Sequence, residues 1–188
     1  VASYYRDNDM LGWTYFNIGR IQDEQKKYDE ATAAYMQGKA YFEKGQDTRG
    51  LGFCINNLGS IYSSKFLYKE SQNMYEEVLK LRLQKLKTDT SENQKVSVAS
   101  SYRGIGDALY NQSKYKEAID EYLKGIEVLI GAKSVDGKKQ MGMLNRSLGK
   151  SYQQMSDYAT AADYYDREFQ IQIGLGDVEA QADALDNK

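Results

Sequence analysis

The 188-residue chain has no histidine, no proline and one cysteine, Cys54. A single thiol excludes an intramolecular disulfide, and the lack of histidine excludes a Cys/His zinc site and a histidine-dependent catalytic triad. No run of hydrophobic residues exceeds the four of Ala33–Met36, far short of the roughly 20 that a membrane-spanning helix needs. Basic residues are not in excess either. The 25 Lys and Arg against 27 Asp and Glu leave a net charge of −2, the wrong sign for a domain that neutralises phosphates. The expected partners therefore include neither nucleic acid nor the interior of a bilayer. The opening Val1-Ala2-Ser3-Tyr4-Tyr5 lacks the basic and apolar regions of a secretory signal, and without an initiating Met it reads as an excerpt of a longer protein. Two glycosylation sequons, at Asn111 and Asn145, fall in stretches of helical period rather than in surface loops. A reducing, cytoplasmic setting is the expectation.

What is present is enough for a packed core, with 41% hydrophobic residues, and it is periodic. Gly19, Gly59, Gly106 and Gly149 are spaced 40, 47 and 43 residues apart, each preceded by Ile or Leu. Nine residues after each comes Tyr28, Tyr68, Tyr115 or Tyr158; twelve after, a small residue, Ala31, Ser71, Ala118 or Ala161; sixteen after, Tyr35, Tyr75, Tyr122 or Tyr165. Apolar side chains recur around each glycine at helical spacing, as in Ile55, Leu58, Ile61 and Tyr62. The period therefore predicts two antiparallel helices per unit. Glycine on the first and a small residue on the second let the backbones approach, and tyrosines fill the seam. Turns are expected at 26–27, 66–67, 113–114 and 156–157.

Leu-Gly-x-x-Tyr followed by Tyr-x-x-Ala-x-x-x-Tyr resembles the tetratricopeptide repeat, and Asn57-Leu58-Gly59-Ser60-Ile61-Tyr62 with Tyr68, Ser71 and Tyr75 follows its pattern closely. The resemblance implies an all-α fold, a right-handed α-α superhelical solenoid of helix pairs, with protein-protein interaction as its function and no enzymatic activity or cofactor. Units longer than the usual repeat of about 34 residues, and the missing closing proline, imply longer helices. The spacing of 40 with Gly45-Gln46-Asp47-Thr48-Arg49-Gly50 ahead of Asn56-Asn57-Leu58-Gly59 resembles the long-repeat subgroup typified by adaptors of the partner-of-inscuteable type, whose grooves hold extended acidic peptides. Asp166 through Asn187 is similar to a segment of the tetratricopeptide subunit of the outer-dynein-arm docking complex. The expected organisation is one solenoid with repeats at 7–45, 47–87, 92–132 and 137–175 and partial repeats at 1–6 and 177–188.

Other motifs carry less. Gly104-Ile105-Gly106-Asp107 lacks the third glycine and the preceding strand of a dinucleotide-binding turn. Asp7-Asn8-Asp9-Met10-Leu11-Gly12 opens like a calcium loop but has Ile18 where a bidentate Glu is needed, and is expected to be an inter-repeat turn. Asp163, Asp166 and Glu168 are expected to be solvated surface, and Cys54, within an apolar stripe, a small core residue.

Residues on the first helices that face away from the seam lie at offsets near −6, −3, −2, +1, +4 and +5 from each glycine. From these the candidate groove is Asn17, Arg20, Phe53, Asn56, Asn57, Arg103, Asp107, Arg146 and Lys150. Asparagine amides can bond both N–H and C=O of an extended peptide, and arginines can fork onto its carboxylates. The resemblance implies that Asn17 and Asn57 contact peptide. It does not carry over the family's clamp for a C-terminal carboxylate, because Phe16 and Arg20 stand where Lys and Asn are wanted. The expected partner is an extended or helical, acidic protein segment in the concave groove. The alternatives are an architectural docking piece in a cytoskeletal or axonemal assembly, or the regulatory arm of a larger enzyme or sensor.

Overall fold

The structure, a computed structural model, describes residues 2–176. Among them are eight α-helices and no strand: α1 Ala2–Glu24, α2 Tyr28–Gly45, α3 Thr48–Ser64, α4 Tyr68–Leu86, α5 Glu92–Asn111, α6 Tyr115–Val128, α7 Val135–Gln154 and α8 Tyr158–Leu175. They pack as two compact units that divide at Leu81 and Arg82. The expected repeat opening at 177–188, and the part of the docking-complex likeness beyond residue 176, lie outside the described residues.

The four predicted turns form with one geometry. Lys26, Phe66, Ser113 and Ser156 adopt left-handed φ values of 59°, 61°, 61° and 63°. The following amide reaches back to a carbonyl five residues earlier, as from Lys27 N to Gln22 O at 2.9 Å and from Lys114 N to Leu109 O at 3.0 Å. This is the Schellman closure, here made without the glycine that normally relieves the left-handed residue. Helix starts are set by side-chain acceptors where one is available. Asp47 accepts from the amides of Arg49 and Gly50, Ser91 from that of Gln94, Ser134 from that of Gly137 and Asp157 from that of Thr160, each satisfying otherwise unpaired first-turn donors.

The seam inside each pair is the glycine-tyrosine contact that the sixteen-residue offset predicts. A Cβ added at Gly19, Gly59, Gly106 or Gly149 would meet the ring of Tyr35, Tyr75, Tyr122 or Tyr165 at 2.8, 3.0, 2.4 or 2.6 Å. Only hydrogen fits there. Tyr35, Tyr122 and Tyr165 are buried and Tyr75 is half-buried. In the second pair Ser71 replaces alanine, and its hydroxyl donates to Gly59 O at 2.8 Å. Between successive pairs of the first unit, Ala31, Tyr35, Phe42, Cys54, Leu58 and Ile61 form a fully buried cluster flanked by Trp13 and Phe16. Cys54 is the expected core residue; burial pushes its thiol up to about 12.

The expected turn at 7–12 is not there, because α1 runs unbroken through it from Ala2 to Glu24. The equivalent stretch of the next repeat breaks because Gln46 takes a left-handed φ of 68° and Asp47 then caps α3. In α1 the corresponding polar groups serve the helix instead: Asn8 Nδ2 donates to Tyr4 O at 2.8 Å. Residues 2–6 are thus the start of this helix rather than the tail of a separate one.

Candidate binding surface

In the first unit the outward face of α1 meets that of α3 through aromatic rings. Trp13 lies edge-on to Phe16, Phe42 and Phe53, with centroids 5.5, 5.2 and 6.0 Å apart, and Phe16 lies 6.0 Å from Phe53. The indole Nε1 donates to Asp47 Oδ2 at 3.1 Å, so one carboxylate both caps α3 and orients Trp13. Phe53 keeps 38% of its surface exposed, and the Arg49 guanidinium stands over its ring at 5.6 Å. Around this apolar floor, Asn17 is exposed and Asn56 and Asn57 are half-buried. Asn57 Nδ2 donates to Phe53 O, one turn back, at 2.9 Å, which leaves its amide oxygen as an acceptor. Arg20 is exposed and only loosely paired with Glu24 at 4.0 Å. Burial and the neighbouring Glu24 raise the carboxyl of Asp23 on the same face.

The corresponding face of the second unit is charged. Asp107 on α5 accepts from Tyr122 Oη at 2.8 Å, from Arg103 Nη1 at 3.1 Å and from Ser147 Oγ at 3.5 Å. These donors come from three helices. The phenol can reach Asp107 because Gly106, its chain neighbour, lets the Tyr122 ring lie flush on α5. Asp107 keeps 39% of its side chain exposed, yet loss of hydration raises its carboxyl above the ordinary value. Arg103, the two hydroxyl donors and Lys150 oppose that rise. Tyr165 repeats the reach of Tyr122, donating to Gln153 Oε1 at 3.0 Å.

All nine candidate residues lie on the first helices as the register requires, four belonging to one group and five to the other. Asn17, Arg20, Phe53, Asn56 and Asn57 are in the first unit and Arg103, Asp107, Arg146 and Lys150 in the second. Two of the arginines expected to fork onto a partner's carboxylates, Arg103 and Arg146, are already engaged within the chain. Arg146 Nε is bound to Glu168 Oε1 at 2.5 Å, and that carboxylate, from α8, is 1% exposed. Glu168 is therefore a buried partner of the face and not the solvated surface expected of it, while Asp163 and Asp166 are exposed as expected. With Arg103 on Asp107 and Arg146 on Glu168, Lys150 is the exposed cation of this cluster. Sequence reasoning also missed Tyr122 and Tyr165 as polar contributors. The signal was available, since the sixteen-residue offset holds tyrosine in all four repeats where phenylalanine would fill the seam equally well.

Two models of the tetratricopeptide repeat match the chain, at residues 14–41 and 54–92. The fold is shared with solved helix-pair solenoids. One is the crystal structure of BtubC (BKLC) from P. vanneervenii, which is 20% identical with a TM-score of 0.78 over 90% of this chain and 66% of that one. Another is the apo form of RapI, 16% identical, with a TM-score of 0.79 over 94% of this chain and 46% of that one. The chain thus spans just under two thirds of the first protein and under half of the second. No curated protein sequence matches it. Tetratricopeptide repeats are accordingly present in an all-α, solenoid-type fold. Among the described residues, no helix is long and apolar enough to cross a membrane.

Proposed function

We propose that this chain is a non-enzymatic scaffold that holds an extended or helical segment of a protein partner on the outward faces of its first helices. The observation that carries the reading is the half-exposed Phe53, held by Trp13 and Phe16 and ringed by Arg49, Asn56 and Asn57. An apolar anchor site bordered by amides and a cation is the arrangement that takes one buried side chain of a peptide together with its backbone polar groups. In the second unit, Arg103 and Asp107 present a half-open ion pair beside Lys150, which suits a segment carrying at least one carboxylate. An acidic partner is thus favoured by the exposed Lys150 and by Arg20, whose pairing with Glu24 is loose.

The test is selection from a random peptide library on the whole chain, followed by calorimetry of the recovered sequences. Binding that falls at least tenfold with Phe53→Ala or Lys150→Glu, at unchanged melting temperature, supports the reading. Recovered peptides that bind both variants as tightly as the parent overturn it.

A further inference from the structure

The phenol hydroxyls of the seam do not all end in the same way. In the third and fourth repeats the ring that lies on the glycine carries its hydroxyl through to the outward face, where its own first helix supplies an acceptor. Tyr122 Oη donates to Asp107 Oδ1 at 2.8 Å and Tyr165 Oη to Gln153 Oε1 at 3.0 Å. These acceptors stand one and four residues after Gly106 and Gly149 respectively. In the first repeat the ring is seated in the same way, against Gly19, and Tyr35 is 0% exposed. Yet among the described residues Tyr35 Oη has no hydrogen-bond partner. A buried donor left in that state destabilises the free chain, so its acceptor is to be sought outside it.

The side chains on α1 explain why none is supplied within the repeat. One residue after Gly19 stands Arg20, which carries donors only. Four residues after it stands Asp23, one methylene shorter than the Gln153 that reaches Tyr165. Burial raises the pKa of the Tyr35 phenol most; Asp23, Cys54, Arg20 and Glu24 all lie near enough to act on it as well. Asp23 is half-buried, and its own carboxyl is raised, first by burial and then by Glu24. Arg20 against Asp23 and Glu24 leaves this corner with an excess of negative charge. Arg20 and Glu24 are 61% and 71% exposed and only 4.0 Å apart at their closest, so both can move aside without disturbing the core.

We propose that Tyr35 and Asp23 form a subsite for one side-chain carboxamide, an asparagine or glutamine of the partner segment. The amide carbonyl accepts from Tyr35 Oη and the amide nitrogen donates to the Asp23 carboxylate, so both ends of the group are used. The chain contains its own precedent, since the Gln153 amide oxygen holds this place on Tyr165. A carboxylate could accept from the hydroxyl but would be set against Asp23, and an apolar side chain would leave both groups unpaired. Because the hydroxyl is buried, a side chain rather than the segment's backbone must reach it. The Phe16 ring lies 5.7 Å from that of Tyr35 and 6.0 Å from that of Phe53. The amide and the apolar anchor residue therefore come from within about four residues of one extended segment, at roughly 3.4 Å per residue. The proposal rests on the reading of the outward face as a surface for a partner segment, and gives that surface a specificity.

The probe is a library of nonapeptides with a fixed central phenylalanine and all other positions random, selected on the whole chain and on Tyr35→Phe, which keeps the ring on Gly19. The expected result is enrichment of glutamine or asparagine at one position on the parent and loss of that enrichment on Tyr35→Phe. In a recovered peptide, changing that residue to glutamate or leucine should weaken binding about tenfold, a little more than one net hydrogen bond, and Asp23→Ala should let the glutamate peptide bind as well as the glutamine one. Peptides that need Phe53 but show no amide preference, or a preference that survives Tyr35→Phe, overturn the subsite and leave the segment-binding surface standing. A preference for glutamate that Tyr35→Phe removes makes a carboxylate the occupant and overturns it too. Recovery of no binding peptide overturns both. Urea denaturation without peptide supplies an independent arm: Tyr35→Phe should hold or raise the parent's midpoint, whereas Tyr122→Phe, which loses its bond to Asp107, should lower it. An equal lowering by both variants would show that the Tyr35 hydroxyl is already satisfied in the free chain, and the proposal would fall.

Discussion

Gly106 lies so close under Tyr122 that a Cβ there would sit 2.4 Å from Cε1, and the same ring carries its hydroxyl 2.8 Å from the next residue's carboxylate, Asp107. One missing side chain thus serves both the seam and the outward face. Gly106→Ala should destabilise the protein by about 1–3 kcal/mol, the usual loss on overpacking, despite alanine's better helix propensity. Gly52→Ala, whose new methyl would meet only Val78 Cγ2 at 3.6 Å, should instead be neutral or stabilising by up to about 1 kcal/mol. Urea denaturation of the two variants gives the comparison, and equal effects would contradict the close contact at Gly106.

Arg146 and Glu168 make the second test. Removing the cation leaves a carboxylate that is 1% exposed without its arginine. Arg146→Ala should therefore lose about 3 kcal/mol, the lower end for a broken buried pair because the guanidinium is itself partly solvated. Arg103→Ala should lose about 1 kcal/mol or less, since Asp107 keeps Tyr122 and Ser147 as donors. Adding Glu168→Gln to Arg146→Ala should recover part of the loss. Thermal melts of the three variants in the order Arg103→Ala, double, Arg146→Ala would agree with this account; an undisturbed melt for Arg146→Ala would not.

Asp107 also gives a pH signature. Its folded-state pKa is raised from the ordinary 3.8, first by desolvation. In the window between the unfolded and the folded value, the native state therefore binds more protons than the unfolded one, and stability falls as pH rises. This contribution is full below the unfolded value and is lost as pH passes the folded one. The difference in unfolding free energy between the parent and Asp107→Asn, measured from pH 3 to pH 7, should move against the parent with increasing pH. A difference moving the other way would show that Arg103 and Lys150 outweigh burial.

Cys54 should report unfolding of the first unit. With its thiol pushed up to about 12 and the side chain 0% exposed, the thiolate at pH 8 is about one part in ten thousand. An aromatic disulfide reagent should leave the native protein unmodified and react within minutes in urea. Rapid modification of the native protein would mean that the core around Cys54 opens readily.

The helix pairs, their turns and the glycine-tyrosine seam were legible because each rests on a fixed offset along one chain segment, and helical geometry turns such an offset into a contact. The break expected at Asp7 failed for a local reason. Identical Asp residues open α3 and sit inside α1, and only the left-handed Gln46 ahead of Asp47 makes the difference. The outward face was legible in position but not in charge. Glu168 lies 22 residues from Arg146 and on another helix, a relationship that no periodicity within one helix contains. Its register did hold a clue, since it stands where α2 and α6 carry the buried Gly38 and Gly125.

The four left-handed turn residues set the evolutionary headroom of the chain. Lys26, Phe66, Ser113 and Ser156 each hold a Cβ where the backbone disfavours one, and all four are exposed. Replacing any of them by glycine relieves about 1 kcal/mol or somewhat less, once the greater freedom of the unfolded chain is deducted. Because these positions lie at the tips of the hairpins, such replacements do not touch the outward faces. A lineage could therefore accumulate destabilising changes at its contact residues, altering what it recognises, and restore its fold at sites that recognise nothing.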